Sequence, residues 1–275
     1  MLGRAVMQAL GQAGLRHEGS DRSRVDLSRF DSIARGIPES VRTVINCAGW
    51  TNVDAAEAHE AEACLINGEG IGQLAEHCRR IGAVLVHYST DYVFSGRAVE
   101  PYRVDHPRAP LNAYGRSKAL GESLLEQSGA RYLLIRTSWV YAPWGKNFVR
   151  TIVGLARTRP SLRVVSDQLG RPSSAEEVAR VSVELLSRRV TGTFHVSDAG
   201  QCSWFDLARA AVSRAGLSCA IEPCSSAEYP SPAVRPSYSV LDLSGTEEQV
   251  GPLRSWEQSV DDVVGRLEPT NAGGR

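Results

Sequence analysis

Two stretches of sequence decide the fold: Val41-Arg-Thr-Val-Ile-Asn-Cys-Ala-Gly49 and Ala83-Val-Leu-Val-His-Tyr-Ser-Thr-Asp91. Each is an apolar, β-branched run that ends in polar residues, and a long stretch rich in Ala and Glu separates them. Two such strands joined by a helix form a βαβ unit, in which the strands run parallel. The pair therefore predicts an α/β fold.

The alternation of strand and helix continues along the chain. A helix is predicted from about Tyr114 to Leu125, and strands are predicted over Arg131-Tyr-Leu-Leu-Ile-Arg-Thr-Ser-Trp139, from Leu162 to Ser166 and from Thr193 to Ser197. A weaker strand is predicted just ahead of Asp21. Near-continuous apolar runs are typical of parallel strands that are buried on both faces. We predict a doubly wound parallel sheet, Rossmann-like, with a smaller C-terminal substrate lobe.

The order of elements loosens beyond residue 200. The segments predicted there are a helix from Trp204 to Ala215, a proline-rich stretch from Pro223 to Pro236, a short strand near Ser239 to Leu241, a last helix from Ser255 to Leu267 and a frayed tail from Glu268 to Arg275. We therefore expect a dinucleotide-binding domain over residues 1–145, with returning segments at about 174–200. Residues 146–275 are expected to form mainly the substrate-binding lobe.

The composition excludes several classes of protein. Among 275 residues, 31 basic and 31 acidic side chains cancel, so no overall field attracts nucleic acid or an anionic membrane. The sequence contains no apolar run of about 18 residues that would predict a transmembrane helix. The six cysteines form no C-x-x-C pair and the six histidines show no metal-ligand spacing, which favours a cytoplasmic protein without a metal site.

Tyr114-Gly-Arg-Ser-Lys118 places a phenol and an ammonium four residues apart, on one face of the predicted helix. A nearby cation lowers the pKa of a tyrosine from about 10 toward neutral pH, where proton transfer to a carbonyl oxygen becomes efficient. Lys118 is one of only two lysines among the 31 basic residues. The alternative is a solvated helix lysine beside a tyrosine that packs in the core.

Polar and small residues follow the predicted strands. Ser89, Thr90 and Asp91 offer groups that can hydrogen-bond a carbonyl oxygen as it gains negative charge, although strand-end capping explains them equally well. The stretch from Asn46 to Thr51 would let backbone approach a cofactor closely, or form an ordinary tight turn. Asp21 and Asp26 are candidates for binding a ribose or an adenine, and the alternative is that they are ordinary surface carboxylates. Trp139 either lines a pocket or packs between the lobes.

Tyr114-x-x-x-Lys118 preceded by Thr90 at a strand end resembles the extended short-chain dehydrogenase/reductase family. Longer strings narrow the resemblance to the dTDP-4-dehydrorhamnose reductases, and they occur in family order across nearly the whole chain. These strings are His87-Tyr-Ser-Thr-Asp-Tyr-Val-Phe-Ser-Gly96, Pro110-Leu-Asn-Ala-Tyr-Gly-Arg-Ser-Lys118, Arg136-Thr-Ser-Trp-Val-Tyr141, Asp167-Gln-Leu-Gly-Arg-Pro172 and Arg235-Pro-Ser-Tyr-Ser239.

The resemblance implies that NADPH or NADH reduces the C4 ketone of dTDP-4-dehydro-6-deoxy-L-mannose to give dTDP-L-rhamnose. It implies that Tyr114 protonates the C4 oxygen, that Lys118 lowers the pKa of Tyr114 and holds the nicotinamide ribose, and that Thr90 hydrogen-bonds the carbonyl. The residues that it places at the substrate are Thr90, Asp91, Trp139, Asn147 and Arg235, whose guanidinium suits a diphosphate. Those that it places at the cofactor are Leu2, Gly3, Asp21, Asp26, Leu27, Gly49, Trp50, Thr51, Tyr114 and Lys118.

The sequence departs from the family at its start. The family begins with a buried strand and a glycine-rich turn that holds the pyrophosphate, whereas Met1-Leu2-Gly3 matches only the end of that turn, about ten residues in. We expect a start assigned too late rather than a protein lacking a central strand. Mg²⁺ is possible by resemblance, but an acidic side chain early in the first helix is replaced here by Arg4-Ala5, so no metal site is expected.

Three matters stay open at this level. The substrate is either the dTDP-sugar above or another nucleotide sugar handled by a related 4-ketoreductase or epimerase, and a non-catalytic, cofactor-binding regulatory subunit is the alternative of a different class. Asp21 suits the free 2′-hydroxyl of NADH, whereas Arg22 suits the 2′-phosphate of NADPH. A homodimer is the expected assembly because it is the commonest one.

Overall fold

Helices and strands alternate along residues 1–267, which are the residues that the computed structural model describes. The helices are α1 (Leu2–Gln12), α2 (Phe30–Gly36), α3 (Val53–Ala58), α4 (Glu60–Cys64), α5 (Gly70–Ile81), α6 (Ala113–Gln127), α7 (Phe148–Ala156), α8 (Ala175–Ser187), α9 (Trp204–Arg214), α10 (Ser244–Val250) and α11 (Trp256–Gly265). The strands are β1 (Thr43–Asn46), β2 (Val84–Thr90), β3 (Arg131–Thr137), β4 (Val140–Tyr141), β5 (Ser161–Val165), β6 (Leu169–Gly170), β7 (Ser173–Ser174), β8 (Gly192–His195), β9 (Cys202–Ser203) and β10 (Ala220–Cys224).

The central sheet has four parallel strands in the order β1-β2-β3-β8. Side chains alternate between its faces, so Val86 and Tyr88 of β2 join a core with α1 and α8, whereas Leu85 packs on the opposite face against α5. Both faces are therefore buried under helices, which explains the near-continuous apolar runs. The predicted doubly wound parallel sheet is confirmed.

Helix α6 is held tightly where it crosses the sheet. Asn112 caps its first turn by accepting from the Gly115 amide at 2.8 Å, and the Asn112 side-chain amide donates to the Val234 carbonyl at 2.9 Å. Gly121 touches the backbone of Asn67 so closely that a Cβ there would lie 2.0 Å from the Asn67 carbonyl oxygen. These contacts fix the height and rotation of α6 over β2, and with them the positions of Tyr114 and Lys118.

The C-terminal lobe packs around α7, α9 and α11. Its two apolar cores include Val149, Leu207 and Val260 in one and Leu162 and Val212 in the other. The short parallel pair of β5 and β10 covers the second core. The lobe is joined to the sheet domain by the strand pairs β4–β7 and β6–β9.

Three features differ from the sequence-based expectation, and one predicted feature lies outside the described residues. The polar segment from Arg16 to Ser20, ahead of Asp21, forms no strand. The strand predicted from Leu162 to Ser166 exists as β5, but it pairs with β10 outside the central sheet, and β10 itself was not predicted. Residues 239–241 make an isolated bridge, Leu241 to Tyr102, rather than a strand. The tail predicted as frayed, 268–275, lies outside the described residues.

A cavity of about 1430 Å³ runs along the free edge of β1, between that strand, α1 and the segment that precedes α2. This volume is larger than the usual range for a small-molecule pocket, about 300–1,000 Å³. Its lining combines Asp21, Asp26 and Gly49 with apolar side chains such as Leu10 and Val44. Because Gly49 follows the carboxyl end of β1, the cavity reaches the sheet edge at which doubly wound folds bind ligands.

Candidate active site

Two polar side chains, Thr90 and Asp91, lie buried at the end of β2. The Thr90 hydroxyl donates to Asp91 Oδ1 at 2.9 Å and accepts from the Tyr92 amide at 3.2 Å, which fixes its rotamer. Asp91 is 2 % exposed, and its Oδ2 has no hydrogen-bond partner among the described residues. Burial raises the pKa of Asp91 to about 6, although hydrogen bonds from Ser239 and Thr90 oppose that rise.

Tyr114 reaches this cluster from the first turn of α6. Its phenol hydrogen-bonds with the Thr90 side chain, and its ring lies 6.0 Å from that of Tyr92 in an edge-to-face arrangement. Burial, followed by the negative charge of Asp91, raises the pKa of Tyr114 to about 12. The phenol is therefore neutral at physiological pH and holds the proton that an acid catalyst must donate.

Lys118 lies one helical turn below Tyr114, buried against β2. Its Nζ donates to the Tyr88 carbonyl at 2.7 Å and lies 3.3 Å from Nε2 of His87. Burial lowers the pKa of Lys118 to about 8, against the opposing charge of Glu122. The sequence predicts a lowered pKa for Tyr114 beside this cation; in the structure burial and the charge of Asp91 raise the pKa of Tyr114 instead, and the group that opposes the rise is Thr90 rather than Lys118.

Trp139 follows β3 and faces the same cleft. Its ring stacks on that of Trp204 from the C-terminal lobe at 3.7 Å, and its backbone adopts a positive φ of 47°. A Cβ on Gly170 would lie 2.7 Å from the Trp139 ring and 3.0 Å from the Ser239 hydroxyl. Since Ser239 also lowers the pKa of Asp91, Trp139 lies beside the cluster at the end of β2.

The loop after β1 is fixed by a buried asparagine. Asn67, from a π-helical turn at Leu65–Glu69, accepts from the Trp50 amide at 2.8 Å and donates to the Trp50 carbonyl at 3.0 Å. A Cβ on Gly49 would lie 2.8 Å from Asn67 Oδ1, so the loop requires glycine there. Asn67 also donates to Ser117 on α6 at 3.0 Å, and this links Gly49, Trp50 and Thr51 to the helix of Tyr114 and Lys118.

The residues predicted for the adenosine half, Asp21, Asp26 and Leu27, all line the cavity. Asp21 and Asp26 form local turns by accepting from Ser23 and Ser28, and Arg22 donates to Asp26 at 2.9 Å. The Leu27 side chain packs in the core below α5, so it lines the cavity floor. The carboxylates can accept from ribose hydroxyls.

The residues predicted to lie near the cofactor phosphates, Leu2 and Gly3, are at the start of α1. Within residues 1–267 no side chain caps this helix, so the first-turn amides remain available to an anion. Gly3 borders the cavity beside Cys47, whereas Leu2 packs against the core. Polar groups for ribose, free amides for phosphate and the glycine loop at Gly49 together fit a dinucleotide.

Asn147 and Arg235 already have protein partners. Asn147 caps α7 by accepting from Arg150, and it donates to the Ala142 carbonyl at 2.8 Å. Arg235 donates to Asp54 at 2.9 Å, and this ion pair raises the pKa of Arg235 against the effect of burial. Arg235 also hydrogen-bonds Tyr92, which places it next to the ring that contacts Tyr114.

Sequence reasoning missed Asn67, Tyr92 and Ser239. Tyr92 and Ser239 lie in strings that were interpreted for other residues, and Asn67 lies in the stretch interpreted only as the helix between two strands, so only the tertiary contacts show their roles. Among residues 1–267 no group of three or more His, Cys, Asp or Glu side chains is arranged to hold a metal ion, and no helix is long and apolar enough to cross a membrane.

Comparisons with known proteins agree with this geometry. The family model "RmlD substrate binding domain" matches residues 1–268. The chain is 43% identical over 221 residues to the spore coat polysaccharide biosynthesis protein SpsK of Bacillus subtilis, covering 80% of this chain and 78% of that protein. It is 39% identical over 258 residues to the dTDP-4-dehydrorhamnose reductase of Burkholderia thailandensis, covering 87% of each.

Solved structures show the same relationship. The crystal structure of dTDP-4-dehydrorhamnose reductase from Bacillus anthracis in complex with NADP superimposes with a TM-score of 0.89 at 32% identity, covering 95% of this chain and 94% of that one. A family model that spans almost the whole chain, together with relatives of this identity and coverage, decides the assignment. The chain belongs to the RmlD substrate binding domain family.

Proposed function

We propose that this chain is an NAD(P)H-dependent dTDP-4-dehydrorhamnose reductase that converts dTDP-4-dehydro-6-deoxy-L-mannose into dTDP-L-rhamnose. The observation that carries the proposal is the meeting of Thr90, Tyr114 and Lys118 at the end of β2, in a member of a family whose relatives include enzymes of that name. NADPH or NADH supplies the hydride when bound.

Tyr114 is the proton donor. Its raised pKa keeps the phenol protonated in the resting site, and its hydrogen bond with Thr90 directs it to the place where the ketone oxygen is expected. When substrate binds, the Thr90 hydroxyl exchanges Asp91 for the same ketone oxygen and donates its one proton there, while it still accepts from the Tyr92 amide. As the phenol loses its proton, the nearby ammonium of Lys118 stabilises the phenolate.

The substrate lies between the lobes. Asp91 and Trp139 border the sugar, Asn147 lies toward the nucleotide, and Arg235 meets the diphosphate after exchanging its partner Asp54. On the cofactor side, Gly49, Trp50 and Thr51 follow the nicotinamide half, with Asp21, Asp26 and Leu27 at the adenosine half and Leu2 and Gly3 near the phosphates. Homodimeric assembly and a cytoplasmic location stay predictions from sequence.

The test is the loss of reduced-nicotinamide absorbance on addition of enzymatically generated dTDP-4-dehydro-6-deoxy-L-mannose. We expect turnover by the wild type and a fall in kcat of about 10²–10⁴-fold in Tyr114→Phe, because only the proton donor is lost. Cofactor affinity should be unchanged. Tyr102→Phe is the control, since its hydroxyl serves a loop at Ser95 and Arg97 away from the cleft. Equal turnover by wild type and Tyr114→Phe would refute the assigned role.

A further inference from the structure

His87 lies in the middle of β2 with 1 % of its surface exposed, between two polar side chains. Its Nδ1 is 3.1 Å from Nδ2 of Asn46, and its Nε2 is 3.3 Å from Nζ of Lys118. The histidine therefore bridges the end of β1 to the lysine of α6. The sequence analysis gave none of the histidines a catalytic role, and the mechanism above does not use this one.

The orientation of the Asn46 amide is fixed by its own backbone neighbourhood. Its Oδ1 accepts from the Ala48 amide at 3.1 Å, and its Nδ2 donates to the Ala48 carbonyl at 3.2 Å. A flipped amide would lose both hydrogen bonds. The second hydrogen on Nδ2 is therefore the one that points at His87.

An amide nitrogen only donates, so Nδ1 of His87 must accept. The neutral imidazole then carries its proton on Nε2, and that N–H points at Nζ of Lys118. An ammonium has no lone pair and cannot accept from it, whereas an unprotonated amine can. The Tyr88 carbonyl accepts from Nζ in either state.

We propose that Asn46 and His87 form a donor frame that stabilises the amine form of Lys118, so that this lysine readily gives up a proton. His87 is a positioning residue, because it acts through Lys118. This inference rests on the proposed function and adds one proton transfer to it. The Tyr114 O–H bond breaks as the ketone oxygen gains that proton. An Nζ–H bond of the Lys118 ammonium then breaks, and its proton restores the Tyr114 phenol. The amine left on Lys118 accepts from His87 until it is reprotonated from water.

The other groups around Lys118 do not provide the same effect. Burial and the charge of Lys118 keep the pKa of His87 well below its usual value, so the imidazole is neutral. Glu122 favours the ammonium, but it is engaged by Arg136 and Arg108. The other titratable side chains on neighbouring elements are Tyr114 on α6 and Asp91 after β2, whereas the Tyr88 side chain points to the opposite face of the sheet, where it lies near Cys47.

The experiment is NMR of the full chain labelled with ¹⁵N-lysine and ¹⁵N-histidine, without substrate. Only Lys118 and Lys146 contribute lysine side-chain signals, and Lys146→Arg assigns them. We expect His87 to carry its proton on Nε2. We expect the pKa of Lys118 to rise by about one unit or more in His87→Gln, because the glutamine side chain can present a carbonyl acceptor to the ammonium.

The matched control is His77→Gln, which removes another buried imidazole. His77 lies on α5, and its Nε2 is 3.0 Å from the Ile37 carbonyl oxygen. It should leave the pKa of Lys118 unchanged. A His87 proton on Nδ1 in the wild type would overturn the proposal without any variant, and so would an equal pKa of Lys118 in wild type and His87→Gln.

The readout also separates this inference from the proposed function. The His87 tautomer and the Lys118 titration can be measured without turnover. If the protein shows the expected tautomer and the expected shift in His87→Gln but reduces no dTDP-sugar, the donor frame is supported and the proposed function is refuted. If the enzyme does turn over, the basic limb of its kcat–pH profile should move to higher pH in His87→Gln by the same shift as the lysine titration. An unmoved limb would overturn the added proton step.

Discussion

The buried ion pair beneath α6 is a sharp test of how this site is supported. Glu122 is fully buried and accepts from Arg136 through Nε at 3.0 Å and Nη2 at 2.8 Å, with a third donor from Arg108 at 3.1 Å. Burial alone would raise the pKa of Glu122, but the hydrogen bonds and charge of Arg136 hold it below its usual value. The charge pair therefore ties α6 to β3.

Glu122→Gln removes the negative charge and leaves the Arg136 guanidinium, whose side chain is 4% exposed, without a counter-ion. Removing one partner of a buried pair costs about 3–5 kcal/mol. At about 2–4 °C per kcal/mol for a chain of this size, Tm should fall by roughly 6–20 °C. The measurement is thermal unfolding followed by circular dichroism at neutral pH.

Glu126→Gln is the matched control, because Glu126 pairs with Arg108 at the surface with a third of its side chain exposed. An exposed pair contributes about 0–1 kcal/mol, so this variant should stay close to wild type. Since the pKa of Glu122 is lowered on folding, its stabilising effect is present above the unfolded pKa and is lost as pH falls through the folded value. Equal Tm values for the two variants at neutral pH would refute this reasoning.

Two further predictions concern the support of the cleft. Burial raises the pKa of Asp198 to about 7, so Asp198 by itself lowers the unfolding free energy by about 1.4 kcal/mol per pH unit as pH rises from about 4 to 7. In urea titrations across this range the slope of unfolding free energy against pH should therefore be more positive in Asp198→Asn than in wild type by that amount, and equal slopes would contradict the assignment. Gly170→Ala should displace Trp139 and raise KM for the sugar at least several-fold. The control is Gly154→Ala in α7, where an added Cβ meets nothing within 4 Å. This control should leave KM unchanged and should stabilise the helix by about 0.5–1 kcal/mol. Equal KM values for the two glycine variants would argue against the packing role.

The central sheet was predictable because its strands are buried on both faces. Continuous apolar runs such as Val84–Tyr88 have no competing interpretation once polar residues end them and helices separate them. The strand predicted ahead of Asp21 was wrong because Arg16, His17 and Glu18 bring no apolar face to bury. Strand β10 was not predicted because Glu222 and Pro223 interrupt its apolar pattern. It is an edge strand that is stabilised by pairing with β5.

The residues of the candidate site that belong to sequence motifs were predictable. Thr90, Tyr114 and Lys118 could be chosen from residue type and spacing, since an i,i+4 pair must share a helical face. Their protonation states could not, because burial sets the pKa of Tyr114 and Lys118, and burial depends on the whole fold. The contacts of Lys118 with His87 and of Asn67 with Trp50 join residues far apart in the chain, and no local pattern encodes them.

The measurement that tests the central claim most directly is the identity of the product. The purified chain is incubated with dTDP-4-dehydro-6-deoxy-L-mannose and NADPH carrying deuterium at the transferable position, and the sugar nucleotide is analysed by NMR and mass spectrometry. The account predicts dTDP-L-rhamnose with one deuterium on C4. Recovery of unreacted ketone from a folded, NADPH-binding protein, or of a sugar reduced at another carbon, would contradict it.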